Sequence, residues 1–438
     1  MTRDVSPERA PQSSAQNVSS EPAGHVGRGQ WMALIAALLG WMFDGAEMGV
    51  FSMVGRPALS DLMTSGGDVP ADPEQVVGLW FGVITAGFLI GAATGGVLFG
   101  WLGDRIGRVR AMGLSVLAYS GFTAGCYFAT QPVHLGVLRF LAALGMGGQW
   151  SLAVALVLEC WPEKRRPLLA GVMGAAGNVG YLLVGVMAVG WKVTPECWRW
   201  TMLASASPAV LALAILPFVP ESERWRQAVR SAAARPLREI FGTRLIWPTL
   251  LGIALASVAL IGTWGSVQAF LPTWADQLAG PGNPHAKGTV QIMLAAGAIL
   301  GTFIGPLVGG RFGRRPAYFG LCLSSLVICQ LMFRGLTAYD NLFLLAAFLA
   351  GAATASFYGW LPLYLPEIFP TRVRATGQGV CYNSGRIFAL AGVLETGRLM
   401  QLFDGSYPRA CATISLVYVA GMLLIWLAPE TKGRPLPE

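Results

Sequence analysis

The stretch "GWLGDRIGRVRAM" occupies Gly100–Met112, and a looser copy, "GGRFGRRPAY", occupies Gly309–Tyr318. Gly91, Gly95, Gly103, Arg105, Gly107 and Arg108 recur as Gly297, Gly301, Gly309, Arg311, Gly313 and Arg314, a constant shift of 206. Two more landmarks return in the same order. "ECWPEKRR" from Glu159 reappears as "EIFPTRVR" from Glu367, shifted by 208, and "PESERW" from Pro220 as "PETKGR" from Pro429, shifted by 209. Three landmarks in one order at nearly one shift mark a duplicated unit.

Composition says what the unit is made of. The 438 residues are 54% hydrophobic and only 12% charged, with a mean hydropathy of +0.54, too apolar for a water-soluble domain. Apolar runs of about 20 residues, enough helix to cross about 30 Å of hydrocarbon, lie near 31–55, 77–102, 109–129, 135–159, 168–191, 198–219, 246–272, 288–309, 317–334, 341–366, 378–397 and 410–428. They are continuous rather than alternating, which excludes barrel strands. The expected fold is all-α: twelve transmembrane helices in two six-helix halves, 31–220 and 246–429. Six spans return each half to the same side, so the halves are parallel repeats. Residues 1–30 read as a disordered polar tail rather than a signal peptide, 221–245 as a basic connector and 430–438 as a closing tail.

About 22 of the 31 basic residues fall on the side of the termini and connector, so both termini are expected in the cytoplasm and the chain in the cytoplasmic (inner or plasma) membrane. The same asymmetry accounts for most of the net charge of +8, which therefore requires no nucleic-acid partner. The seven cysteines have no metal spacing and the three histidines lie in the tail and loops, so neither a metal nor a cofactor is expected. With no nucleophile and base spaced for catalysis, the chain does not read as an enzyme.

A charge at the centre of a spanning helix costs about 2.5 to 3.5 kcal/mol, so each one faces a partner or a wet cavity. Asp44 and Glu47, in "GWMFDGAEMGVF" (Gly40–Phe51), share one helix face a turn apart. Two such acids in a poorly solvated site resist double ionisation, which suits a proton-coupling site. The other reading is a structural pair locking the first helix to a neighbour such as Arg139. Arg139 and Arg386 offer planar guanidinium forks that hold a carboxylate, so both are candidate anchors for an anionic substrate. For Arg386 the rival is an internal ion pair with Glu395 or with the two acids. Asn178 stands at the position equivalent to Arg386 in the first half. Gln149, Trp150, Gln268, Tyr358, Trp360, Tyr382 and Asn383 are candidate wall groups, although most aromatics in membrane helices are packing residues. Tyr358, Tyr382 and Asn383 stand out, because a buried hydroxyl or amide in lipid needs a partner.

The loop at Gly100–Met112 resembles the signature between the second and third helices of the major facilitator superfamily, and the likeness covers residues 30–436. The resemblance implies a latch in which Asp104 and Arg108 make charge contacts to neighbouring helix ends; Arg105, Arg311 and Arg314 belong to the same duplicated motif. Glu159, Glu367 and Arg374, at the inner helix ends, read as further gating groups. "GMGGQWSLAVALVLECWPEKRR" (Gly145–Arg166) resembles the fourth helix of the sialate, lactate and aromatic-acid proton symporters, as does the acidic pair. "LPEIFPTRVRATGQG" (Leu365–Gly379) and "PETKGRPLP" are shared with the sugar porters. Where the branch carries an acid this chain has Gln149, so the pair on the first helix is left as the candidate proton site.

The expectation is a monomeric secondary transporter moving a small organic anion with protons across the lipid bilayer by alternating access. A proton-coupled sugar transporter is the nearest alternative. A transporter-derived nutrient receptor is the distant one, since it wants a longer cytoplasmic extension than about 30 residues.

Overall fold

The computed structural model describes residues 27–64, 72–191, 193–215, 217–231, 235–280, 282–283 and 285–438. The tail reading for 1–26 lies outside them. The bundle is helical: α1 (Arg28–Thr64), α2 (Pro73–Ile106), α3 (Arg108–Gly125), α4 (Pro132–Cys160), α5 (Arg166–Gly190) and α6, in two pieces (Trp198–Ser205 and Pro208–Ile215), form the first half. The second half contains α7 (Ile246–Ala279), α8 (Ala286–Phe312), α9 (Arg314–Gly335), α10 (Asn341–Glu367), α11 (Arg374–Leu402) and α12 (Tyr407–Leu427). Among the described residues, nine of these are long and apolar enough to cross a membrane. The three others fall short for separate reasons. Helix α3 opens on Arg108 and Arg110, α6 breaks before Pro208, and α11 carries Gln378, Asn383 and Arg386 in its middle.

Local chemistry sets the ends. Asp72 caps α2 by accepting from the Gln75 N–H at 3.1 Å with Pro73 following, and Asp340 caps α10 by accepting from the Phe343 N–H at 2.8 Å. Gly107 and Gly313 take φ of +109° and +108°, a conformation glycine enters without a Cβ penalty. Each turns the chain into the next helix, and each next helix is capped by a distant carboxylate. Glu221 accepts from the N–H groups of Arg108 and Val109 at 3.0 and 3.1 Å; Glu430 accepts from those of Arg314 and Arg315 at 2.9 and 3.0 Å. Anionic side chains at helix N-termini meet both the free N–H groups and the positive dipole end.

Small residues let backbones touch. A Cβ on Gly95 would lie 2.0 Å from the Leu144 carbonyl of α4, and one on Gly301 would lie 2.0 Å from the Ala352 carbonyl of α10. Thus α2 packs on α4 as α8 packs on α10, the same contact in each half. Gly87, two turns before Gly95 on α2, instead has open space beside it. Between halves, Gly96 and Gly100 of α2 meet Asn383 and Ala375 of α11, and Gly171 of α5 meets Thr302 and Phe303 of α8. These two seams form the boundary.

Candidate functional site

Within the membrane span of α1 the two acids part company. Glu47 pairs with the Arg139 guanidinium of α4 and accepts from Thr123 Oγ1 of α3 at 2.8 Å. Arg139 is wholly buried between the Phe51 and Phe88 rings, 5.0 and 4.6 Å from their centroids. It therefore belongs to the core of the first half, paired with Glu47, rather than to the boundary between halves. Asp44 is equally buried, yet neither carboxylate oxygen has a partner among the described residues. The charges acting on it are Arg386, from the other half, and Glu47.

Arg386 is half-buried on α11 at the boundary. Its guanidinium lies over the Tyr382 ring at 5.0 Å and donates to Asn383 Oδ1 at 3.4 Å. Tyr382 in turn stacks on Trp150 of α4, centroids 4.1 Å apart and planes 15° apart. A ladder of Trp150, Tyr382 and Arg386 thus crosses from one half to the other. The side chain of Glu395, the candidate ion-pair partner of Arg386, lies outside the described residues.

The remaining wall candidates scatter. Asn178 donates to Gly174 O of its own helix at 3.2 Å. Gln149 lies against Gly40, one turn of α1 from Asp44, with Oε1 accepting from Ser115 at 3.3 Å. Gln268 ends an eight-residue π-helical stretch of α7, Ile261–Gln268, a distortion common at functional sites. Tyr358 of α10 puts its backbone against Gly174 of α5. Trp360 is packed between Tyr318 and Tyr364, a core residue of the second half. A small cavity of about 30 Å³, lined by Gly40, Phe43, Tyr119, Gln149 and Pro208 among others, takes no residue from the second half and so does not mark the boundary site.

At the end of the bundle that carries the connector, the charged groups close one network. Asp104 accepts from the backbone N–H groups of Ala375 and Thr376 at 3.2 and 2.8 Å and from the Thr376 hydroxyl, all in the other half. Arg108 binds Asp104 at 2.8 Å and Glu159 at 3.1 Å, and donates to the Thr371 carbonyl at 2.6 Å. Arg374 reaches across to Glu159 at 2.9 Å, and Ser222 of the connector also donates to Glu159. The second copy makes no ion pair across the boundary among the described residues. Arg314 binds Glu367 of its own half at 2.9 and 2.6 Å, and Gly310, at the position equivalent to Asp104, faces Pro167. Arg105 and Arg311 are exposed and lie over Trp101 and Phe312, outside the network. They share the motif's pattern but point to the opposite side of their helices from its buried residues.

Two parts of the site carry no earlier assignment. Pro437 O accepts from the Thr371 N–H and hydroxyl, both at 3.1 Å, and from Arg374 at 2.8 Å, so the closing tail straps onto this charged network. Gln378, in "RATGQG", is wholly buried on α11; its polarity inside an expected span was the signal available.

The profile of the Major Facilitator Superfamily matches residues 37–393, most of the chain. A putative metabolite transport protein of Haemophilus influenzae is 29% identical over 417 residues, covering 93% of this chain and 98% of the relative. The cis,cis-muconate transport protein of Acinetobacter baylyi is 28% identical over 435 residues, covering 95% and 99%. In three dimensions the proton:xylose symporter XylE, bound to 6-bromo-6-deoxy-D-glucose, superposes with a TM-score of 0.77 at 18% identity, covering 93% of this chain and 98% of XylE; that likeness shows the fold. Duplicated halves, the cross-boundary latch and the profile match agree: this chain belongs to the Major Facilitator Superfamily and is a multi-pass membrane transporter, not an enzyme.

Proposed function

We propose that the chain carries a small organic acid together with a proton by alternating access, as a monomer in the cytoplasmic membrane with both termini in the cytoplasm. The observation that carries the reading is a buried Asp44 carboxylate that has no hydrogen-bond partner among the described residues and lies within the field of the half-buried Arg386 guanidinium of the other half.

A fixed guanidinium on an aromatic face is a receptor for a carboxylate. Coupling follows from electrostatics. An anion bound at Arg386 cancels the cationic field that Asp44 otherwise feels, so anion and proton bind better together than apart, a reciprocal coupling between two sites. The network of Asp104, Arg108, Glu159 and Arg374 holds the cytoplasmic end shut, and rocking the halves apart there would release the cargo inward. A muconate transporter among the relatives supports an acid as cargo. A neutral sugar would leave the charge of Arg386 without a counterpart in the cargo.

The test is uptake of benzoate into right-side-out vesicles under an imposed pH gradient, with hexose as competitor. Asp44→Asn should abolish gradient-driven accumulation while retaining exchange of bound for free substrate. Unchanged accumulation sinks the coupling. Arg386→Ala should weaken acid binding by roughly thirtyfold or more, the cost of removing one partner of a desolvated charge pair; competition by hexose instead of acids would favour the sugar reading.

A further inference from the structure

Gln378 is fully buried, and neither its Nε2 nor its Oε1 has a partner among the described residues. The other buried amides near the boundary are at least partly satisfied: Gln149 accepts from Ser115, and Asn383 bonds Gly379 O and Arg386. Leaving a buried amide end unsatisfied costs its full desolvation, so Gln378 is set against the stability of the state in which it is sealed.

Its place is defined by its helix. On α11 it stands four residues from Arg374 and four from Tyr382, hence on one stripe with both. Arg374 is bound to Glu159 and Tyr382 is stacked on Trp150, both on α4. Gln378 therefore lies in the seam between α4 and α11, one turn inside the latch and one turn below the aromatic stack. When the latch releases and the helices part, its amide becomes the next polar group on α11 between the Tyr382–Asn383 pair and the cytoplasm.

We propose that Gln378 is a specificity-determining contact for a hydroxyl group carried by the transported acid, made on the cytoplasmic side of the Trp150–Tyr382 stack. A carboxamide presents a donor beside an acceptor, and a hydroxyl, which accepts and donates, satisfies both. A carboxylate only accepts and would leave Oε1 bare, so that end of the cargo stays with Arg386. The cargo is then a hydroxylated organic acid. A site built to bond a hydroxyl discriminates against the analogue that lacks it, because its own polar atoms are left unpaired.

This inference rests on the organic-acid reading, and the experiment keeps the two apart. Benzoate and 4-hydroxybenzoate differ by one hydroxyl. Transport of each is measured at the cytoplasmic face in inside-out vesicles and at the opposite face in right-side-out ones, for the wild type, Gln378→Met and Arg386→Ala, each checked for a monodisperse folded peak. The wild type should show a cytoplasmic-face KM roughly tenfold lower for 4-hydroxybenzoate, about one well-made hydrogen bond. Gln378→Met should erase that preference while leaving the benzoate KM within about twofold and the opposite face unchanged. A preference that survives in Gln378→Met, an equal rise for both acids, or a wild type that handles neither acid or does not discriminate overturns the proposal. Arg386→Ala reports separately. If it leaves both KM values untouched while Gln378→Met removes the preference, the anchor reading fails and the hydroxyl contact stands.

Discussion

Glu47 is bonded to Arg139 and Thr123, whereas Asp44, one turn away on the same helix, has no hydrogen-bond partner among the described residues. Equal residues therefore carry unequal energetic consequences. Glu47→Gln strips the counter-charge from a buried guanidinium, a change that costs about 3 to 5 kcal/mol, and should lower the melting temperature of the purified protein by several degrees. Asp44→Asn removes a buried carboxylate that has no hydrogen-bond partner among the described residues and only the field of Arg386 to offset its burial, so its melting temperature should match or exceed that of the wild type. If both substitutions destabilise alike, the acids act as one structural unit. The i, i+3 spacing alone left both acids open to either role, because it specifies a shared face but not what stands opposite that face.

The charged network depends on where helices end. Glu159 at the end of α4 is flanked by Arg108 of its own half and Arg374 of the other. Glu159→Gln would leave two guanidinium groups facing each other, so the latch should open. Spin labels at the connector-side ends of α4 and α10 should then report longer distances, whereas an unchanged distribution would assign the closure to apolar packing instead. Removing residues 434–438 takes the Pro437 carbonyl from Thr371 and Arg374, and a smaller shift in the same direction is expected. Glu430, the cap of α9, adds a pH dependence. Burial works to raise its carboxyl, but the N–H groups of Arg314, Arg315 and Lys432 outweigh that and hold it below its ordinary value of 4.5. A carboxyl depressed by folding stabilises above its unfolded value and loses that contribution as pH falls through the folded one. The wild type should accordingly lose modest stability as pH drops below about 4.5, and Glu430→Gln should flatten that slope in a melting series across pH.

At the scale of the molecule, the same glycine chemistry serves two purposes, and substitution separates them. Gly95 faces the backbone of α4 within its own half, while Gly100 faces Ala375 O of the opposite half, 2.7 Å from where a Cβ would sit. Gly95→Leu should abolish folding. Gly100→Leu should fold and wedge α2 from α11, moving the population towards the inward-facing state in the same spin-label measurement. A folded, still-closed Gly100→Leu protein would show that this seam does not move. The duplication, the helical class and the charged loop were legible because each is a local pattern. The asymmetry was legible only in part: Gly310 in place of Asp104 is visible in the chain, but that Asp104 ties the halves through Thr376, 272 residues away, is not. Arg105 and Arg311 repeat as faithfully as Arg108 and Arg314, and spacing alone could not tell the exposed pair from the buried one.

Membership of the membrane class, the helices and the two-fold repeat were determined by the sequence itself, because bilayer thickness and backbone hydrogen bonding admit only helices or closed barrels and the apolar runs are long and continuous rather than alternating. Which helices touch was not. Lipid tails are as apolar as leucine, so hydropathy does not rank one helix face over another, and lateral packing depends on close approach of small residues. Only the tertiary structure decided that Glu47 takes Arg139, that Asp44 is left without a hydrogen-bond partner among the described residues, and that Gln378 is fully buried with its amide unpartnered, because each of those outcomes depends on helices far apart in the chain meeting at one depth.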